Sequence, residues 1–170
     1  MRWLANYERM AGRHFTYVLA LLFTPDRRHV VLLRKTRPAW QAGKVNAPGG
    51  KVLPGETPSD AARRELLEET GVEVDEWSEV LVWDDPVYRM HVLRAIDAKA
   101  GEARTSEDQE VFLADTRALP DNVIDNIRWL IPLALDGHVQ LPLEVRSANP
   151  EGSGLTEPPP AVFDVTEASG

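Results

Sequence analysis

The sequence predicts an α/β fold, with a β-sheet flanked by two helices. Three observations lead there. Short runs rich in branched and aromatic residues, such as His14 to Phe23 and the HVVLLR stretch at His29 to Arg34, are separated by polar turns. A strongly signalled helix interrupts them after Thr57, and a second, more apolar helical pattern follows the main strands at Val123 to Leu135. Strands and helices mixed in this way within 170 residues suit one layered domain with a sizeable core.

The elements follow in order. His14 to Phe23 and His29 to Arg34 read as two strands of a hairpin, turned by Pro25-Asp26 and Arg27-Arg28. Lys35 to Pro48 reads as a polar loop. Thr57 is an N-cap, Pro58 suits the first helical position, and Asp60 lies where a capping-box acid belongs. Ala61 to Glu68 are mostly strong helix formers, and Gly71 is a natural C′ residue. Glu76 to Trp83 and Tyr88 to Ile96 read as two further strands around Asp84-Asp85-Pro86. A polar loop at Lys99 to Gln109 precedes a short strand at Glu110 to Ala114. The second helix, Val123 to Leu135, carries Pro132, which predicts a kink or the start of a new segment there. Leu141 to Val145 is the last expected strand. Residues 1–146 form the expected domain, and residues 147–170, rich in Pro, Gly and Glu, the expected flexible tail.

Composition narrows the function. A formal charge of −8 argues against a general nucleic-acid binder, which is normally basic. With no cysteine there is neither disulfide nor thiol chemistry. The first fifteen residues carry scattered charges rather than the apolar centre of a signal peptide, and the run from Val18 to Phe23 is too short to span a bilayer. A soluble, cytoplasmic protein with no membrane partner is expected.

The chemistry concentrates in GKVLPGETPSDAARRELLEETGV, from Gly50 to Val72. Glu65, Glu68 and Glu69 fall at i, i+3 and i+4 of the helix and so share a face. Like charges so placed cost roughly 0.2–0.5 kcal/mol per exposed pair. A divalent cation would turn that cost into a site, and oxygen-only donors favour Mg²⁺ or Mn²⁺. The bland alternative is a solvated amphipathic helix with an Arg64–Glu68 pair. Gly49 and Gly50 let the backbone approach a phosphate or metal closely.

This segment resembles the Nudix (MutT-like) box, G-x5-E-x7-R-E-U-x-E-E-x-G-U with U aliphatic. Gly50, Glu56, Arg64, Glu65, Leu66, Glu68, Glu69, Gly71 and Val72 fill every fixed position. The resemblance implies an α/β/α sandwich around a mixed sheet, and Mg²⁺-dependent hydrolysis within the pyrophosphate of a nucleoside diphosphate linked to another group. It implies Glu68 and Glu69 as the main metal ligands, Glu65 as a ligand that in some members is also the base for water, and the Gly49 carbonyl as a further ligand. Arg64 is then an orienter of a box carboxylate, and Glu56 either an outer ligand or a structural acid. One more acid is expected on a facing loop, where Glu107 is preferred over Asp108 and Glu110. Arg34, preferred over its neighbours Lys35 and Arg37, and Lys51 are candidate phosphate contacts, against a reading as surface cations. Many relatives are dimers, so a homodimer is compatible with the sequence.

The substrate is read from two further stretches. In WQAGKVNAPGGK, residues Gly43, Asn46, Gly49, Gly50 and Lys51 fill a Gly-x-x-Asn-x-x-Gly-Gly-Lys pattern similar to that of the oxidised-purine nucleoside triphosphatases of this family. An Asn amide both donates and accepts, so Asn46 can read a purine edge; it can equally hold its own loop. NIRWLIPLAL offers Asn126 as a second reader, where some relatives carry Asp, and Trp129 as a stacking or core residue. The favoured expectation is hydrolysis of a nucleoside triphosphate, such as 8-oxo-dGTP, to monophosphate and pyrophosphate. Pro86, fourteen residues after Val72, keeps an ADP-ribose-type hydrolase in view, and a nucleotide sensor without turnover is the third reading.

Overall fold

The structure, a computed structural model, describes residues 15–36, 41–85, 88–105 and 109–147. The expectations for His14, Arg37, Pro86, Glu107, Asp108 and residues 148–170 lie outside them. Eight strands are described: β1 (Phe15–Phe23), β2 (His29–Arg34), β3 (Val45–Asn46), β4 (Gly49–Lys51), β5 (Ser78–Asp84), β6 (Tyr88–Ile96), β7 (Glu110–Asp115) and β8 (Leu143–Arg146). Helix α1 spans Pro58–Thr70 and α2 spans Ile127–Leu135.

The strands form one sheet in the order β3-β2-β1-β6-β5-β8, with β4 paired to β1 and β7 to β2. β1 runs parallel to β6 and β5 parallel to β8, while the other named pairs are antiparallel. The sheet between helices expected from the sequence is therefore present, and it is mixed, as the family resemblance implies.

Period-two alternation assigns the faces. Val18, Ala20 and Leu22 of β1 pack on the α1 side with Ala61, Ala62 and Leu66. Leu19, Leu21 and Phe23 pack on the other side with Ile127, Leu130, Ile131 and Ala134 of α2. β2 divides likewise, Val31 and Leu33 toward α1, Val30 and Leu32 toward α2. Because both faces are covered, β1 and β2 read as continuous apolar runs rather than alternating ones. Each such buried Leu or Val side chain contributes about 1.5–3 kcal/mol relative to exposure.

Helix α1 starts and stops as its sequence signals. The Thr57 hydroxyl accepts the Asp60 N–H and the Asp60 carboxylate accepts the Thr57 N–H, closing a capping box. Gly71 ends the helix at φ 71°, in the left-handed region open to glycine.

Several boundaries differ from the sequence reading. The stretch Lys35 to Pro48 holds β3, pinned by Leu33↔Asn46 and Arg34↔Val45, and the Gly-Gly-Lys after it pairs with β1 as β4. Neither has an apolar run to announce it; both are strands because a neighbour offers hydrogen bonds. The polar stretch from Lys99 contains part of a short 3₁₀ turn, Ala98–Glu102. Helix α2 begins at Ile127 rather than Val123, because Val123 bridges Val45 and the Ile124 N–H donates to the Val45 carbonyl. Pro132 lies inside α2, which continues past it to Leu135, so no new segment begins there. The Arg94 guanidinium donates to the Ala134 carbonyl near the helix end. β8 begins two residues later than read and ends at Arg146.

Candidate active site

The box acids meet β4 and the end of β2 on the α1 face. Within α1, Ala62, Leu66 and Thr70 form a buried row. Glu65 and Glu69 lie just beside it and are nearly covered, with side chains 14% and 12% exposed, whereas Glu68 is 59% exposed. The three acids thus share a side of the helix but not one environment.

Arg64 is the hub. Its Nε donates to Glu56 Oε1 at 2.7 Å and its Nη2 to Glu56 Oε2 at 3.0 Å, a two-pronged pairing. Nη1 donates to Glu65 Oε1 at 2.7 Å and more weakly to Glu68 Oε2 at 3.4 Å. Nη2 also donates to the Lys51 carbonyl at 2.8 Å, tying α1 to β4. The i, i+4 contact with Glu68 is therefore the least of its bonds. Hydrogen bonds from Arg64, with help from the Leu53 N–H, hold the Glu56 carboxyl down at about 2. The Arg64 guanidinium is pushed up in turn, chiefly by its bond to Glu56. Burial raises Glu65, opposed by Arg64 and reinforced by the charges of Glu69 and Glu68.

Glu69 is held separately. Its Oε1 accepts from Lys35 Nζ at 2.7 Å and from Gln109 Nε2 at 3.3 Å, and its Oε2 accepts from the Gly49 N–H at 2.9 Å. Lys35 is 11% exposed, so this is an interior ion pair. The two glycines of β4 are required by close approach. A Cβ on Gly50 would lie 2.3 Å from Glu65 Oε1, and one on Gly49 2.2 Å from the Val18 carbonyl oxygen.

The donor set is all oxygen, which suits a hard divalent cation. Among the described residues no three His, Cys, Asp or Glu side chains already form a cage. Arg64, Lys35 and the Gly49 N–H hold the carboxylates instead. The bare backbone against Glu65 and the paired acids on either side of it nonetheless fit such an ion.

The other candidates take varied places. Arg34 donates from Nε to Glu110 Oε2 at 2.8 Å and from Nη1 to the Gly43 carbonyl at 3.4 Å, so both Arg34 and Glu110 are engaged with each other away from Glu69. Lys51 Nζ lies over the Phe15 ring, 5.2 Å from its centre. Asn46 is buried; its Oδ1 accepts the Ala47 N–H at 2.9 Å and its Nδ2 donates to Gln41 Oε1 at 3.4 Å. Asn126 is also buried, but among the described residues neither its side-chain oxygen nor its nitrogen has a hydrogen-bond partner. Trp129, one turn on, is 41% exposed and tilts against Trp83 at 5.9 Å.

Lys35 and Gln109 are the residues that sequence reasoning undervalued. Strand parity locates both. Val31 and Leu33 face α1, so Lys35 continues that side while Arg34 falls on the other; Val111 faces α1, and Gln109 lies two residues before it.

A helix bearing Arg64-Glu65 and Glu68-Glu69, capped at both ends and laid on a Gly-Gly strand of a mixed sheet, defines a hydrolase of the MutT-like class. The chain belongs to the NUDIX family, whose domain model matches residues 13–141. It is 36% identical over 125 residues to an oxidized purine nucleoside triphosphate hydrolase of Danio rerio, covering 69% of this chain and 77% of that protein. A NUDIX hydrolase structure from Nitrosomonas europaea superimposes with a TM-score of 0.62 at 20% identity, over 79% of this chain and 80% of that one. A MutT structure, described for Aliivibrio salmonicida and Vibrio cholerae, gives a TM-score of 0.57 at 23% identity, over 71% and 98%. No described helix is long and apolar enough to cross a membrane.

Proposed function

We propose that this hydrolase cleaves the phosphoanhydride of a purine nucleoside triphosphate, an oxidised one such as 8-oxo-dGTP, releasing monophosphate and pyrophosphate. The observation that carries the purine reading is Asn126. The residue is 7% exposed, and its amide meets no partner among the described residues. Leaving such a group unmet costs about 1–3 kcal/mol. A ligand edge that both donates and accepts would remove that cost, and a purine presents one. The similarity to the Danio rerio hydrolase points the same way. Asn46 would take part from β3, provided it gives up its bond to Gln41.

Glu65, Glu68 and Glu69 would hold Mg²⁺ or Mn²⁺ together with the Gly49 carbonyl and Glu107. The ion would supply charge neutralisation on the phosphates and a more acidic bound water. The protein's own contribution follows from its bonds. Arg64 fixes the Glu65 rotamer through Oε1, which leaves Oε2 to accept the proton of an attacking water. Glu56 balances Arg64 and is a structural acid. Lys35 keeps positive charge beside Glu69 and is better placed than Arg34 to meet an outer phosphate. Lys51 is a further candidate for that contact.

A panel of nucleoside triphosphates and nucleoside diphosphate conjugates, incubated with Mg²⁺ and resolved by chromatography, tests the reading. Monophosphate plus pyrophosphate, fastest from an oxidised purine triphosphate, is expected. AMP and ribose phosphate from ADP-ribose as the faster reaction, or binding without turnover, would overturn it.

A further inference from the structure

The other end of the sheet carries a second cluster of charge. The β1–β2 turn, the turn after β7 and the last turn of α2 enclose an open hollow of about 360 Å³. Arg27, Arg28 and Arg117 line it, and among the described residues none of the three has an ion-pair partner. Two acids also line it, each hydrogen-bonded within its own turn, so the arginines outnumber them by one. Asp26 accepts from the Thr24 hydroxyl and the Arg28 N–H. Asp136 accepts the His138 and Val139 N–H groups after α2. In a chain of net charge −8, a hollow lined by three arginines against two aspartates is a local exception.

The backbone adds an independent observation. Arg27 sits at φ 58°, the one non-glycine residue of the described chain with positive φ. Glycine or asparagine would hold that turn position at lower cost. Strain kept at a residue that has an inexpensive substitute points to a use for its side chain. The turn is also fixed rather than free to relax, since the Thr116 N–H donates to the Arg28 carbonyl at 2.9 Å and its hydroxyl to the Arg27 carbonyl at 3.2 Å. Pro132 and Leu135 give the hollow an apolar wall. Guanidinium forks match phosphate oxygens in pairs.

We propose that this hollow binds a phosphate-bearing anion of pyrophosphate size, held by Arg27, Arg28 and Arg117. It lies at the His29 end of β2, whereas Lys35 and Glu69 lie beyond the Arg34 end, roughly 20 Å away at the rise of a strand. The site is therefore separate from the acids of α1, and its occupancy does not depend on which nucleotide they cleave.

The test is an amide NMR titration of the full chain with inorganic pyrophosphate, in chelator so that no divalent ion loads the acidic site. Amides of residues 26–28 and 116–117 should shift. R27G and R117S should each weaken that binding by about tenfold or more. R27G should also melt higher, since glycine relieves the positive φ. A parallel titration with ADP separates the sources: tighter binding than pyrophosphate assigns the apolar wall to a nucleoside, equal binding assigns the hollow to free phosphoanions, and both support the site. Shifts confined to α1 and β4, no shifts at all, or unchanged affinity in both variants would overturn it.

Discussion

The Glu65 carboxylate fills the space a side chain on Gly50 would need, with its three terminal atoms 2.3–2.6 Å from where a Cβ would stand. Gly50 is thus a glycine for its neighbour's sake, since its own φ is not in the left-handed region. In G50A the backbone can stay, and Glu65 must swing away from Arg64. Activity should fall roughly 10- to 100-fold, the usual cost of losing a carboxylate's orientation, with little change in melting temperature. G49A is the contrasting variant. Its Cβ would meet the Val18 carbonyl, which is backbone and cannot swing aside. It should unpair β4 from β1 and lose about 1–3 kcal/mol of stability. Thermal melts beside steady-state rates on both variants separate the two effects. Equal melting loss in both would refute the assignment for Gly50.

Arg64 and Glu56 make stability depend on acid. The folded Glu56 carboxyl titrates at about 2, against an unfolded value near the ordinary 4.5. A depressed folded value stabilises the fold above pH about 4.5, and that stabilisation is lost as pH falls from there toward about 2. E56Q should therefore be less stable than the parent at neutral pH and approach it in acid. Denaturant midpoints measured from pH 7 down to pH 3 check this; parallel curves would exclude the linkage. R64K keeps the charge but cannot make the fork, so it should lose both the stability and part of the rate.

Glu69 depends on Lys35, with the ion pair almost closed to solvent. K35A should leave Glu69, among the described residues, with the Gly49 N–H and Gln109, and cost about 1–3 kcal/mol because a nearly buried carboxylate loses its counter-charge. Added Mg²⁺ should restore much of that stability if Glu69 is a metal ligand, because the ion replaces the ammonium. E69Q should keep the fold and abolish most turnover, and its melting should no longer respond to Mg²⁺. A melting rise with Mg²⁺ equal in E69Q and the parent would remove Glu69 from the ligand set.

Much of this was legible in the chain because it rests on local signals. The Thr57–Asp60 box and Gly71 bound α1 by contacts within a few residues. HVVLLR and Tyr88 to Ile96 have the composition of buried strands, and the structure returns them with the same ends. What stayed hidden is non-local. β3 and β4 exist through partners in β2 and β1, and the true start of α2 is set by Val45, which claims Val123 and Ile124. Arg34 is read from the sequence as a phosphate contact because arginine suits two-pronged phosphate binding, and cross-strand register puts it opposite Glu110 while parity carries Lys35 to the α1 side.

Asn46 and Asn126 should respond to substitution in opposite ways. Asn46 spends its amide on Ala47 and Gln41, so N46A should cost about 1 kcal/mol of stability before any effect on substrate. Asn126 makes no such bonds among the described residues, so N126A removes an unmet polar group and should leave the fold as stable or more so. If both amides read the base, each variant should raise KM for a purine triphosphate more than it lowers kcat, and pyrimidine triphosphates should be spared. The decisive comparison is N126A, where a structural role and a reading role diverge. A lower melting temperature with unchanged base preference would make Asn126 a part of the fold. A stable protein that no longer distinguishes an oxidised purine from its parent nucleotide would make it a reader.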